Sequence, residues 1–130
     1  MMRILEGSLG LHEQLLGARS RRLEVLARNI ANADTPNFKA QDVDFKTVLS
    51  RLEDEPSAMS ATHPRHFQVG DTAGSDGLRF RTPFNTSMDG NTVELSVEQA
   101  HYGKAASDYQ ATLSFLENRV SSLRKALRGD

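Results

Sequence analysis

The sequence contains no cysteine and no tryptophan, and only four prolines in 130 residues. Without cysteine there is neither a disulfide framework nor a thiolate metal site. A charge excess of one sign is also missing. The formal net charge is −1, whereas binding a polyanion normally requires a basic surplus or a concentrated basic face. Acids gather in the middle, where residues 34–95 hold ten against six bases. No run of about 18 apolar residues is present to span a bilayer. The opening Met1-Met2-Arg3-Ile4-Leu5-Glu6-Gly7 lacks the apolar stretch of a secretory signal. Taken by themselves, these absences describe a cytoplasmic protein. With 38% hydrophobic and 6% aromatic residues, the chain suits one modest domain with a small core.

What is present is helical periodicity at both ends. Leu9, Leu16, Leu23 and Ile30 recur every seven residues, with Leu26 on the adjoining seam. The spacing predicts a long N-terminal helix that packs along its length. His12 and Arg19 stand where a strict coiled coil would carry apolar side chains, and Gly7, Gly10 and Gly17 weaken the first turns. Pro36 crowds Thr35 out of the helical region, so the helix is expected to stop near Ala33 or Asp34. Asn37 tolerates a positive φ, and Phe38 follows the turn as a large apolar ring. Replacing Pro36 with Ala is expected to let the helix run on. At the other end Tyr102, Ala106, Tyr109, Leu113, Leu116, Val120, Leu123 and Leu127 follow an unbroken 4-3-4-3 spacing. Ser96 and Gln99 have the form of a capping box, and Gly129 suits the stop.

Between the helices, Asp42 or Asp44 can cap a short amphipathic helix carrying Phe45, Val48, Leu49 and Leu52. Residues 56–91 are rich in turn formers, with two short strands expected near His66–Val69 and Leu78–Arg81. The fold class is therefore mainly α: two long terminal helices paired as an antiparallel coiled-coil hairpin around an irregular middle. The organisation divides into a core helix over 1–34, an outer segment over 35–91, and a second core helix over 92–130. Leu11, Leu15, Phe115 and Ala126 fall off the main stripes, so apolar surface is left over for assembly.

Chemistry is hard to find. His63-Pro64-Arg65-His66 brings two imidazoles close, but the proline forbids the helical spacing of zinc peptidases and no further ligands complete a set. No nucleophile elbow or phosphate-cradling loop is present; Gly70-Asp71-Thr72-Ala73-Gly74 lacks the lysine that such a loop needs. Neither a cofactor nor a small-molecule substrate nor a nucleic acid is implied, and the chain does not read as an enzyme.

Two blocks resemble a known family. Arg22 through Ala40, including Asn29, Asn32, Ala33, Asp34, Thr35, Pro36 and Phe38, is similar to the N-terminal block of bacterial flagellar basal-body rod proteins. Asp89-Gly90-Asn91-Thr92-Val93-Glu94-Leu95 and the helix from Tyr109 to Leu127 resemble the C-terminal block. Within the family, the Ala-Asp-Thr-Pro form, the Asp-Gly-Asn-Thr-Val lead-in and the short length point to the proximal rod. Members commonly carry Gly-Tyr where this chain has Asn37-Phe38.

The resemblance implies a structural subunit of the drive shaft, whose terminal helices pair as the inner core of a helical tube. It implies self-association and contacts with other rod subunits, the rod adaptor at the shaft base and the surrounding membrane ring. It also reverses the localisation argument, because such subunits leave the cytoplasm through the type III export gate without a cleaved signal and end in the basal body. Phe45, Val48 and Leu49 match the short Phe-x-x-x-apolar motif read at that gate. The alternatives are another rod subunit of the family, a cytoplasmic coiled-coil adaptor, and a His63/His66 metal-dependent enzyme.

Overall fold

A computed structural model describes residues 2–54 and 77–129. The first element, α1, runs from Met2 to Ala31, and the last, α3, from Leu95 to Arg128. Between them lie strand β1 (Gln41–Val43), helix α2 (Phe45–Asp54) and strand β2 (Leu78–Phe80). The two long helices pack against each other antiparallel, since Asn29 near the end of α1 meets Glu98 near the start of α3, and Arg19 meets Asp108. At 1.5 Å per residue they extend for about 45 and 50 Å.

The sequence places α1 two or three residues too long. Its end at Ala31 is set by a tightening of the last turn, in which the Asn32 N–H reaches both the Arg28 and Asn29 carbonyls and the Ala33 N–H reaches Ile30. The start of α3 also differs from the expected capping box. Glu94 is the N-cap, without a side-chain cap bond, and Ser96 and Gln99 lie within the helix. The far end is as the sequence leads one to expect: Gly129, at φ 76°, donates its N–H to Lys125 at 3.1 Å.

Of the two acids offered as the cap of α2, Asp44 takes that role. Its carboxylate accepts the Lys46 N–H at 3.1 Å and the Thr47 hydroxyl at 3.1 Å. Asp42 instead sits in β1, which pairs antiparallel with β2 in the register Gln41↔Phe80, Asp42↔Arg79, Val43↔Leu78. The strand expected at Leu78–Arg81 is thus present, and its partner lies in a stretch the sequence reading assigned to a turn and cap. Gly77 enters the sheet at φ 71°, where an added Cβ would stand 2.9 Å from Val48 Cγ2 and 3.1 Å from the Asp44 carbonyl. The strand expected at His66–Val69 lies outside the described residues.

Fully buried apolar side chains are few among the described residues: Leu26, Ala40, Val43 and Ala105. All lie toward the end of the hairpin where the outer segment folds back. On α3 the innermost positions are Glu98, Ala105 and Thr112, seven residues apart. The line of closest approach therefore runs beside the apolar stripe. Ala106, Tyr109, Leu113, Leu116, Val120 and Leu123 are half-buried, whereas Tyr102 and Leu127 are exposed. On α1, Leu26 is wholly covered, and Leu9, Leu16, Leu23 and Ile30 are half-buried.

Candidate functional site

The family-like segment after α1 and the Asp89–Val93 segment dock directly on each other. Asn91 is buried and its side-chain amide donates to three carbonyls, Asn32 at 3.0 Å, Ala33 at 2.8 Å and Thr35 at 2.9 Å. Two hydrogens serve three acceptors, so at least one is shared. Its oxygen accepts the Val93 N–H at 2.8 Å, and its own N–H donates to Asp89 Oδ1 at 3.0 Å. Carbonyls of the turn that follows α1 are thereby held from about 60 residues away along the chain, and those of Asn32 and Thr35 also accept the Thr35 and Phe38 N–H groups at 3.1 and 3.3 Å.

Further bonds close the junction. The Asn37 N–H donates to the Asp89 carbonyl at 3.0 Å, the Thr92 N–H to the Phe38 carbonyl at 3.0 Å, and the Ala40 N–H to the Thr92 hydroxyl at 2.8 Å. Asn37 adopts φ 60° and Gly90 φ 80°. A Cβ on Gly90 would come within 2.5 Å of Asn37 Oδ1, so where the two segments cross any other residue displaces the Asn37 side chain and strains the positive φ. Thr35 bonds back to Asn32 Oδ1 at 3.1 Å, while Asp34 and Pro36 face solvent and Phe38 is half-buried.

Below this junction lies a polar cluster spanning both helices and the sheet. Asn29, buried on α1, pairs its side chain with the backbone of Gln41: its amide donates to the carbonyl at 2.6 Å and its oxygen accepts the N–H at 3.2 Å. The same amide reaches Glu98 Oε2 at 3.1 Å. Glu98 is only 1% exposed and takes its second partner from Arg81. Arg81 also donates to Asp42 at 2.8 Å, and Arg22 holds Asp42 with two bonds at 3.0 and 3.2 Å. Burial opposes ionisation of Asp42, but the bonds from Arg22, Arg81 and the Val43 N–H prevail and hold its pKa below the ordinary value. Two cations and two carboxylates thus neutralise each other, so a buried ionic group is tolerated where helix, strand and helix meet.

Arg19 explains one impurity of the α1 seam. It pairs with Asp108 of α3 at 3.3 Å while its guanidinium lies over the Phe45 ring at 5.0 Å, tying three elements at once. Of the export-type motif, Phe45 and Val48 are therefore partly covered and Leu49 is exposed. The structure unites Asn32, Ala33 and Thr35 in the junction, places Asn29 in the polar cluster beside it, and leaves the lower seam residues apart from both. Sequence reading singled out neither Asn91, Arg81 nor Glu98 as a partner of the first block. Glu98 and Ala105 are seven residues apart, but an acid in the innermost line carries no hydrophobic signal.

His63 and His66 lie outside the described residues. Among the described residues no group of three or more potential metal ligands occurs, and no helix is long and apolar enough to cross a membrane.

Long paired helices, a polar junction that locks the outer segment to both, and apolar side chains left uncovered define a helical subunit built for assembly. The family model described as flagella basal body rod protein matches residues 16–39, the stretch that ends α1 and enters the junction. The flagellar basal body rod protein FlgB of Cereibacter sphaeroides is 40% identical over 122 residues, covering 94% of each chain. The FlgB proteins of Aeromonas hydrophila and Escherichia coli are 37% and 35% identical, covering 95% and 98% of this chain and 94% and 98% of their own lengths. The chain belongs to the family of flagellar basal body rod proteins of the FlgB type.

Proposed function

We propose that this chain is a structural subunit of the proximal rod of the bacterial flagellar basal body and acts by packing, without catalysis. The observation that carries the reading is the docking of the two family-like blocks through Asn91, which fixes the angle at which the outer segment leaves the helical core. Neighbouring subunits then cover the lower seam, with half-buried Leu9 and Leu16 on one helix and, on the other, half-buried Leu113, Leu116, Val120 and Leu123 and exposed Leu127. On this reading the terminal helices, over 1–34 and 92–130, form one discontinuous core and 35–91 the outer segment. Partners are further rod subunits, the adaptor at the shaft base and the encircling membrane ring.

Transit through the type III export gate precedes folding. Phe45 is held beneath Arg19 in the folded chain, so a gate reading Phe45, Val48 and Leu49 meets them in the unfolded polypeptide. Leu49→Ser, a change at an exposed side chain, is expected to lower export while leaving folded stability unchanged; unaltered export removes the motif from the account. The rod role itself is tested by complementing a strain that lacks this subunit and probing its purified basal bodies. Restored motility with the chain in the rod fraction is expected. A chain found only in the cytoplasm would favour the coiled-coil adaptor instead.

A further inference from the structure

The sequence contains two Asp-Gly linkages, Asp76-Gly77 and Asp89-Gly90, and the second lies inside the junction. After an aspartate, the next backbone nitrogen stands one ring closure away from the side-chain carboxyl carbon, and glycine, having no Cβ, hinders that closure least. Asp89 is exposed, so water reaches it. In the folded chain both reacting groups are engaged elsewhere. The Gly90 N–H donates to the Ser87 carbonyl at 3.0 Å, and Asp89 Oδ1 accepts the Asn91 N–H at 3.0 Å. The Asn91 N–H, the Ser87 hydroxyl and the Lys39 cation hold the Asp89 carboxyl below its ordinary pKa, so it stays a carboxylate, whereas closure needs the neutral acid with a hydroxyl to lose. The flanking carbonyls are also fixed, that of Asp89 by the Asn37 N–H at 3.0 Å and that of Gly90 by Lys39 Nζ at 2.5 Å.

We propose that Asp89-Gly90 is a guarded isomerisation site, inert while the junction is closed and converted to isoaspartate in chains that stay open. The Gly90 nitrogen bonds to Asp89 Cγ, and its proton leaves with the carboxyl hydroxyl as water, giving a five-membered succinimide. Water then adds at the Asp89 main-chain carbonyl carbon and breaks its bond to the Gly90 nitrogen, so the chain now runs through the Asp89 side chain. Mass is unchanged and water is the only co-reactant. The product lengthens the backbone by one methylene immediately before Gly90 and Asn91, and it replaces the carbonyl that accepts the Asn37 N–H with a free carboxylate. Gly90 lies against Asn37 Oδ1 with no space for a Cβ. The shifted chain loses that fit and draws the Asn91 amide off the Asn32, Ala33 and Thr35 carbonyls. A chain that lingers unfolded thereby becomes one that no longer closes its junction. The chemistry belongs to the chain itself and holds whether or not the rod reading does.

To test this, the full chain is incubated at mildly acidic pH, folded in buffer and unfolded in guanidinium chloride, then labelled with an isoaspartate-specific methyltransferase and mapped with trypsin. Cleavage after Arg79 and Arg81 separates the peptide holding Asp76 from the one holding Asp89. The Asp89 peptide of the folded chain is expected to gain label about tenfold more slowly than that of the unfolded chain, because reaction waits on opening of the junction. Folded Asn91→Ala is expected to gain it faster than the unaltered chain. Asp89→Glu, whose closure would need a six-membered ring, is expected to lose the label from that peptide. Isomerised chain, isolated at unchanged mass and returned to buffer, is expected to unfold at a urea midpoint lowered at least as far as that of Asn91→Ala. Equal rates in the folded and unfolded chain, no label at Asp89 in either, or an isomerised chain with an unaltered midpoint overturns the proposal. A folded Asn91→Ala no faster than the unaltered chain overturns the Asn91 clasp as the guard. Should that variant not fold, the comparison within the unaltered chain still decides.

Discussion

At the scale of single residues, Asn91 outweighs Pro36. Proline bars the helix from continuing, but Asn91 holds the three carbonyls that the stopped helix exposes. Asn91→Ala removes the remote donor from these carbonyls, leaving those of Asn32 and Thr35 with the local N–H groups of Thr35 and Phe38, and is expected to cost about 1–3 kcal/mol in urea unfolding. Pro36→Ala is expected to cost less, because Asn91 still holds the turn; a larger loss for the proline variant would reverse the ranking. Acid also bears on residues of this region. Asp42 is held below its ordinary pKa of 3.8, so its contribution is present above that value and is lost as pH falls through the lower folded-state value. Asp89, lowered first by the Asn91 N–H, adds to the same trend. Urea midpoints measured from neutral pH downward are expected to fall below about pH 4, with a shallower fall in Asp42→Asn. An unchanged slope in that variant would remove Asp42 from the effect.

At the scale of elements, the two long helices were legible because each carries many apolar side chains at regular spacing, and a repeated signal survives local exceptions. Their ends and their mutual rotation were not. The turn that follows α1 is held by Asn91, a residue remote in sequence, and no local rule reports that partnership. The innermost line of α3 uses Glu98, Ala105 and Thr112, an acid, a small residue and a hydroxyl, beside the larger side chains that dominate the periodicity. Helices approach where side chains are small, so the apolar stripe marks the neighbourhood of the seam and Ala105 marks its centre. Ala105→Leu is accordingly expected to wedge the helices apart and cost about 1–3 kcal/mol, read as a lowered thermal midpoint. An unchanged midpoint would place the close approach elsewhere. β1 escaped notice for a related reason: three residues give too short a pattern, and Asp42 there is accounted for by Arg22 and Arg81.

At the scale of the whole molecule, burial is lopsided. Among the described residues, the junction end has the fully buried side chains and the ionic cluster, while the lower hairpin keeps its seam half-open. A fold so distributed is firm where it defines geometry and incomplete where neighbours are to pack. Leu123→Asp, on the open half, is expected to leave the junction folded yet prevent incorporation into basal bodies, because a charge would enter the assembled seam; normal incorporation would show that seam to be solvated in the rod. The most direct measurement of the central claim is a cryo-EM map of purified basal bodies. The account predicts this chain in the proximal rod, with Asn91 clasped onto the end of α1 and the lower seam covered by neighbouring subunits. A map that places the chain elsewhere, or leaves that seam facing solvent, would contradict it.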